Sequence, residues 1–223
     1  MMIFENRTDA GRKLATRLKR FADRDDVLVL ALPRGGVPVA YEVAKELKAP
    51  LDVFLVRKLG VPGHEELAMG AIASGGVRVI NEELVNYLGI PDEVIDETAA
   101  FEERELERRA RAYRGDRPPP DVKDRIVILI DDGLATGSTM RAAAASLRPQ
   151  KPRRIVVAVP VSSRETCDEF RSEVDEIICV ATPQHFQGVG LWYNDFSQTS
   201  DDEVRKLLKR AAQAEYRVAS NAS

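Results

Sequence analysis

The sequence predicts an α/β fold in which a central, mostly parallel sheet is flanked by helices, with a small hood or cap subdomain. Aliphatic segments typical of buried strands alternate with segments of helical periodicity along the 223 residues. Near the N-terminus a strand, a loop, a helix and a second strand are predicted in succession, which is the βαβ order of parallel sheets. Loops rich in glycine and proline separate these segments.

The first half of the chain supplies the βαβ unit and a less regular middle part. Periodicity predicts four elements before residue 60: a helix at 10–21, a strand at 26–32, a helix at 39–47 and a strand at 51–59. Three features are expected beyond them: two short strands around Gly75-Gly76, a helix at 81–88 and a long charged helix at 91–114.

The second half begins with a linker at 115–124, whose three prolines require an extended backbone. The elements expected after it are strands at 125–130, 153–161 and 176–182 and helices at 138–147, 163–171 and 201–216. We interpret residues 1–223 as a single domain. Its expected parts are an α/β core at 23–182, a hood built from 1–22 and 183–199, and a C-terminal helix and tail at 200–223.

Composition and charge restrict the functional classes. The net charge is -3, so no overall basic excess attracts nucleic acid, and we expect no nucleic-acid partner. No apolar run is long enough to span a bilayer, and the first residues lack the apolar region of a signal peptide. We therefore expect a cytoplasmic protein with no membrane association. Cys167 and Cys179 fit no metal or disulfide pattern and are expected to be two buried thiols.

The segment from Arg125 to Leu147 carries the sharpest chemical signal. A buried-looking strand ends in Asp131 and Asp132, and a loop of glycines and hydroxyl residues then leads into a helix. Ligands of parallel sheets bind at the carboxyl ends of strands. A helix start offers free N–H groups and a favourable dipole to phosphate, whereas two carboxylates need hydroxyl or cation partners. A ribose 5-phosphate with Mg²⁺ supplies both kinds of partner.

An ordinary strand-turn-helix, with Asp132 capping the helix and Gly133 closing a turn, is the alternative. It does not explain the whole string VILIDDGLATGST, which resembles the phosphoribosyl pyrophosphate (PRPP) signature of type I phosphoribosyltransferases. The string lacks the lysine of a Walker loop and the spacing of the dinucleotide fingerprint. The resemblance extends from about Val27 to Thr182, and it implies a type I phosphoribosyltransferase fold.

The resemblance also implies roles for these residues. Asp131 and Asp132 would hold the ribose diol and Mg²⁺, the metal directly or through water. The residues implied to bind the 5-phosphate are Gly133, Leu134, Ala135, Thr136, Gly137, Ser138 and Thr139.

A second loop, LALPRGGVPVA, follows the first strand, where the family binds pyrophosphate. Arg34, Gly35 and Gly36 are the candidates, since glycines allow close approach of backbone N–H groups and arginine supplies charge. The resemblance implies an unusual cis peptide bond before the glycine, near Arg34-Gly35. Taken alone, the RGG string is also compatible with an ordinary turn.

Two adjacent cations, Arg57 and Lys58, close the strand predicted at 51–59. They resemble the pair that opens the mobile loop of adenine-type phosphoribosyltransferases, which implies that they stabilise the leaving pyrophosphate and act as catalytic residues. The loop from Gly60 to Glu66 is expected to fold over the site. His64 is compatible with a surface position or with a catalytic role.

Aromatic residues concentrate near the C-terminal end of the core. Phe186, Trp192 and Tyr193 are candidates for stacking on a planar acceptor, as in the hood of 6-oxopurine enzymes. A hydrophobic plug over the sheet edge is the alternative. The chain departs from hypoxanthine-guanine enzymes at Ala135, where those enzymes carry an acidic residue. This departure disfavours hypoxanthine and guanine, and leaves adenine-like, xanthine-like, pyrimidine or unusual acceptors open.

The resemblance therefore implies a Mg²⁺-dependent transferase that moves the ribose 5-phosphate of PRPP to a small nitrogenous acceptor and releases pyrophosphate. A homodimer is common in the family. One alternative is a PRPP-binding regulator without turnover, and another is a reaction on a different phosphorylated sugar. The sequence offers no helix-turn-helix for the regulator. Its basic segments at 107–117 and 151–154 have acidic neighbours, which favours a solvated face over a nucleic-acid surface.

Overall fold

The computed structural model describes residues 4–115 and 117–221, without the side chains of Glu65, Glu66 and 215–221. The strands are β1 (Val27–Ala31), β2 (Leu51–Val53), β3 (Val56–Val61), β4 (His64–Ala73), β5 (Val77–Ile80), β6 (Ile126–Ile130), β7 (Arg154–Val161) and β8 (Glu176–Ala181). The α-helices are α1 (Arg7–Leu18), α2 (Gly36–Leu47), α3 (Glu82–Leu88), α4 (Asp92–Arg114), α5 (Ser138–Leu147), α6 (Arg164–Glu173) and α7 (Asp201–Asn221).

The central sheet has five parallel strands in the order β2-β1-β6-β7-β8. Alternate residues of its strands face two hydrophobic clusters, so that Val29 and Ile128 pack on one face while Leu30 and Leu129 pack on the other. Burial on both faces explains why these strands are continuously apolar. The predicted α/β fold with a mostly parallel sheet is confirmed.

The adjacency of β1 and β6 fixes the position of the two predicted loops. The two strands pair in register from Val27 with Ile126 to Ala31 with Ile130. The loop after β1 and the loop after β6 therefore leave the same sheet edge side by side. This is the edge where ligands of parallel sheets bind.

A second, antiparallel sheet is formed by β3, β4 and β5. The two strands expected around Gly75-Gly76 are its β4 and β5. The prediction of one continuous strand at 51–59 is wrong, because β2 ends at Val53 and β3 begins at Val56. Buried Phe54 and Leu55 form the corner at which the chain leaves the parallel sheet.

The start of the chain reaches the segment at 183–199 through backbone pairing. Phe4 N–H donates to Trp192 O at 3.1 Å, and Asn194 N–H donates to Phe4 O at 2.9 Å. Helix α1, by contrast, packs on α2 and joins the main core. It begins at Arg7 rather than at the predicted residue 10, since Asn6 accepts a capping hydrogen bond from Asp9 N–H.

Both cysteines are free thiols; Cys167 is buried as predicted, whereas Cys179 is only half-buried. Within the described residues, no helix combines the length and apolarity needed to cross a membrane.

Candidate functional site

The carboxylates of Asp131 and Asp132 lie at the carboxyl end of β6, both partly buried. Asp131 Oδ1 accepts a hydrogen bond from Asp132 N–H at 2.8 Å, and Asp132 Oδ2 accepts one from Arg7 Nε at 2.8 Å. Strand β6 thus delivers two acidic groups to one point on the sheet edge, and the guanidinium of Arg7 contacts one of them, Asp132.

The electrostatics of this pair favour a ligand with cationic or hydroxyl groups. Burial raises the pKa of Asp131 well above its usual value, and the neighbouring Asp132 charge raises it further. Burial also raises the pKa of Asp132, although Arg7 opposes the rise. A partner that donates hydrogen bonds or carries positive charge would stabilise the ionised forms of both groups.

Arg7 is the site residue that the sequence analysis missed. Its Nη1 donates to Ser197 O at 2.7 Å, and its guanidinium carbon lies 3.9 Å from the centroid of the Phe196 ring. Arg7 is the first residue of α1, where the helix dipole disfavours a cation. The predicted helix begins at residue 10, so the placement is evident only in the structure, where the contact with Asp132 accounts for it.

We expect Arg7→Ala to lower the free energy of unfolding by about 3 kcal/mol, since removal of one partner leaves a largely buried carboxylate without its counter-charge. The Arg7 and Asp132 side chains are only 12% and 14% exposed. Urea denaturation measures the change. Arg12→Ala on the same helix removes an ion pair whose arginine is 68% exposed, and it should cost less than about 1 kcal/mol. Equal losses in the two variants would contradict the role of Arg7.

The loop after the acid pair leads directly into α5. Gly137 has φ +71° and precedes Ser138, the first residue of the helix. A Cβ at Gly137 would lie 2.5 Å from the Phe170 ring, so both the backbone angle and the packing require glycine. Thr166 Oγ1 donates to Ala135 O at 2.9 Å and fixes the middle of the loop. The first-turn N–H groups of α5 thereby form a candidate anion site.

Members of the predicted phosphate-binding set differ in availability. Ala135, Thr136 and Thr139 are exposed, and Ser138 is half-buried. Leu134 does not fit the predicted role of binding phosphate, since its side chain is buried and its N–H already donates to Val161 O at 2.9 Å. Gly133 is buried as well, and a Cβ at this position would lie 2.6 Å from Val189 Cγ1.

The loop after β1 meets the acid pair as the sequence predicts. A Cβ on Gly35 would lie 2.0 Å from Asp132 Oδ2, and one on Gly36 would lie 2.6 Å from Ile130 O. The unusual cis peptide bond is present and joins Pro33 to Arg34. Arg34 is partly exposed, with Nη1 4.0 Å from Asp201 Oδ1. Both predicted loops and both carboxylates therefore belong to one site.

Arg57 and Lys58 lie near the beginning of β3, not at the end of a strand of the central sheet as predicted. The chain turns into the antiparallel sheet before reaching them. Arg57 Nε lies 2.5 Å from Glu102 Oε2 on α4, so part of its charge is neutralised. Both cations line a cleft of about 600 Å³ together with Thr139 of α5. This shared cleft keeps them within the candidate site.

The segment expected as a covering loop is largely a β-hairpin. Gly60 and Val61 belong to β3, and exposed His64 begins β4, with Pro62 and Gly63 between the strands. The backbone pairing of Val61 with His64 closes this hairpin.

Among the aromatic candidates, Tyr193 does not fit the predicted role of stacking on an acceptor. It is buried, its ring packs against Phe4 and Phe196 at centroid distances of 5.3 and 5.0 Å, and its hydroxyl donates to Asp132 O at 2.6 Å. It supports the acid pair and is not free to stack on a ligand. Phe186 and Trp192 are half-buried against the same hydrophobic cluster, and their stacking role stays a prediction.

The donor set fits a metal that arrives with a phosphate ligand. The described residues contain no group of three or more His, Cys, Asp and Glu side chains arranged to hold a cation. Mg²⁺ commonly takes one or two carboxylates and completes its shell with water and substrate phosphates. Asp131 and the remaining oxygen of Asp132 would supply the protein's share of such a shell.

Comparison with known proteins places this geometry among phosphoribosyl transferases. The family model described as phosphoribosyl transferase domain matches residues 2–193. A Mycobacterium tuberculosis H37Rv protein, provisionally named a phosphoribosyl transferase, is 46% identical over 211 residues, which are 95% of this chain and 47% of that protein. The chain thus spans about half the length of this curated relative. The bifunctional protein PyrR of Roseiflexus sp. RS-1 is 31% identical over 63% of this chain and 70% of PyrR.

Solved structures give the same picture of the fold. The crystal structure of TT1426 from Thermus thermophilus is 41% identical, with a TM-score of 0.85, and the match covers 94% of this chain and 99% of that one. A Neisseria gonorrhoeae protein with bound ppGpp matches with a TM-score of 0.51 over 94% of this chain and 97% of that one. At 12% identity, this second likeness supports the fold alone.

Proposed function

Because the chain belongs to the phosphoribosyl transferase family, we propose that it is a Mg²⁺-dependent transferase that moves the ribose 5-phosphate of PRPP to a nitrogenous base. The observation that carries the proposal is the convergence of three groups at one sheet edge. These groups are the acid pair, the α5 N-terminus and the Arg34-Gly35 loop. Their chemistry matches a ribose diol, a 5-phosphate and a pyrophosphate.

In the proposed complex, the loop from Thr136 to Thr139 and the first turn of α5 bind the 5-phosphate. Backbone N–H groups and hydroxyls there donate to its oxygens. Asp131 and Asp132 accept hydrogen bonds from the ribose 2′- and 3′-hydroxyls. Arg7 and Tyr193 hold Asp132 in place. Arg7 donates to the carboxylate of Asp132, and the Tyr193 hydroxyl donates to the backbone carbonyl of Asp132.

The reaction forms a bond from the acceptor nitrogen to ribose C1 and breaks the bond from C1 to the pyrophosphate oxygen. Positive charge develops on the ribose, so positioning and stabilisation of the departing pyrophosphate dominate the rate. Arg34 and Lys58 supply positive charge on that side, and Gly35 allows close backbone approach. Asp131 and Asp132 would hold Mg²⁺, and the bound ion would supply further charge neutralisation for the pyrophosphate.

A pyrophosphate-release assay with PRPP, Mg²⁺ and a panel of purine and pyrimidine bases tests the proposal. Release that depends on one base supports the transferase and identifies its acceptor. Binding of PRPP without release with any base would contradict it. That outcome would favour the alternative of a PRPP-binding regulator without turnover.

Removal of divalent metal should weaken PRPP binding at least tenfold. Without a cation, the two carboxylates repel the pyrophosphate, and the nearby Arg34 and Lys58 offset this repulsion only in part. Calorimetric titration of PRPP in Mg²⁺ and in excess EDTA measures the difference. Ribose 5-phosphate lacks the pyrophosphate and should lose less affinity under the same change. Equal PRPP affinity in both buffers would rule out a metal in the complex.

A further inference from the structure

A second cleft, of about 770 Å³, lies between the C-terminal end of α4 and helix α7. Its described lining includes five basic residues and no acidic one: Arg111, Arg114, Arg117, Arg205 and Lys209. The chain as a whole has a net charge of -3, so the described lining of this cleft is far more basic than the chain average. We call this feature the α4/α7 cleft.

The charges of the α4/α7 cleft are only partly neutralised. Arg114 is buried and ion-paired with Asp52, and Arg205 pairs with Asp202. Arg117 donates to the backbone oxygen of Arg114, which satisfies a hydrogen bond without cancelling the charge. Among the side chains that the structure describes, no carboxylate lies within ion-pair distance of Arg111 or Lys209.

The helix terminus explains part of this cationic excess. Basic residues are favourable in the last turn of a helix because they face the negative end of its dipole. However, two carbonyls of that turn already accept hydrogen bonds: Gly115 N–H donates to Arg111 O and Arg117 Nε donates to Arg114 O. Moreover, Lys209 belongs to α7, so the dipole of α4 does not account for its position.

We propose that the α4/α7 cleft binds the phosphate chain of a small phosphorylated molecule, at a site separate from the acid pair. Guanidinium groups bind phosphate oxygens in a planar, two-point geometry, and lysine adds a mobile point charge. The cleft has the volume of a small-molecule site. Its exposed cations, Arg111, Arg117 and Lys209, offer more charge than one phosphate requires, which favours a chain of two or three phosphates.

The cleft is distinct from the proposed PRPP site but adjacent to its pyrophosphate loop. Ala112 and Tyr113 line the α4/α7 cleft on one side and a smaller cleft that contains Arg34 on the other. Tyr113 is buried, and its hydroxyl donates to Asp201 at 2.6 Å. Because this ring forms part of the wall, the described lining offers cations for phosphate and no free aromatic face for a base.

The test measures binding of inorganic triphosphate to the full chain by calorimetry in the Thr139→Glu background. The added carboxylate at the start of α5 repels phosphate from the proposed PRPP site, so remaining binding reports on the cleft. We expect one triphosphate to bind in this background. Arg111→Glu with Lys209→Glu should weaken it at least tenfold. The matched control, Lys206→Glu with Arg210→Glu on α7, makes the same charge change outside the described cleft lining and should alter affinity less than threefold.

Absence of triphosphate binding in the Thr139→Glu background would overturn the proposal, as would equal weakening by the two charge reversals. Arg111→Gln with Lys209→Gln gives a milder second test if the reversed variant fails to fold.

A parallel titration with ATP identifies the source of the phosphate chain. Similar affinities for ATP and triphosphate indicate recognition of phosphate alone, whereas tighter ATP binding indicates a nucleotide. Since this assay requires neither PRPP nor turnover, its failure is distinguishable from failure of the proposed transferase.

Discussion

Replacement of both site carboxylates, Asp131→Asn with Asp132→Asn, should reduce PRPP-dependent pyrophosphate release about a thousandfold and leave the fold intact. Each carboxamide keeps the size and one acceptor oxygen of the original group, so the hydrogen bonds from Asp132 N–H and Arg7 Nε can persist. The substitutions remove the negative charge that, in the proposed complex, would bind the ribose diol and the metal. Loss of one preorganised group typically costs roughly a hundredfold to a thousandfold in rate.

The stability of this double variant should change by less than about 1 kcal/mol, because two opposing effects meet. Arg7 loses a charged partner, but two partly buried carboxylates with raised pKa values no longer repel each other. Pyrophosphate release and urea denaturation, measured together, check both statements. The control is Asp96→Asn with Asp168→Asn, two aspartates of exposed ion pairs, which should keep activity. Unchanged turnover in the Asp131, Asp132 variant would refute the assigned roles.

Gly35→Ala should reduce kcat/KM about a hundredfold. The new methyl group would lie 2.0 Å from Asp132 Oδ2 and 2.7 Å from its Cγ, so the carboxylate must move. Movement breaks its contact with Arg7 and displaces the oxygen that, in the proposed complex, would accept a hydrogen bond from the ribose. Steric overpacking of this kind also destabilises a protein by about 1–3 kcal/mol.

A matched substitution separates the steric effect from a general effect of replacing glycine. At Gly188 an added Cβ would meet no atom within 4 Å, so Gly188→Ala should keep both activity and stability. Kinetics and urea denaturation of the two variants check the prediction. Full activity in Gly35→Ala would show that the position of Asp132 is unimportant.

The elements that the sequence predicts well are those with a local cause. Strand β6, the acid pair, the loop of glycine and hydroxyl residues and α5 are contiguous, and each step follows from residue type and order. The loop after β1 was placed correctly because parallel strands bring their carboxyl ends to one edge.

The features that were missed depend on distant contacts. Arg7 and Asp132 are separated by 125 positions in the sequence, and no local pattern connects them. The aromatic character of Tyr193 indicated stacking, whereas its neighbours Phe4 and Phe196 enclose it in the fold. The segment at 51–59 is uniformly apolar up to Arg57 apart from Asp52, so its division into β2 and β3 is set by the pairing of β3 with β4.

The most direct test of the central claim is a calorimetric titration of PRPP with Mg²⁺ into the wild-type protein and into the Asp131→Asn, Asp132→Asn variant. We predict one PRPP bound per chain of the wild type and no measurable heat of binding in the variant. Wild-type protein that fails to bind PRPP, or a folded double variant that binds it with equal affinity, would contradict the assignment of this sheet edge as a PRPP site.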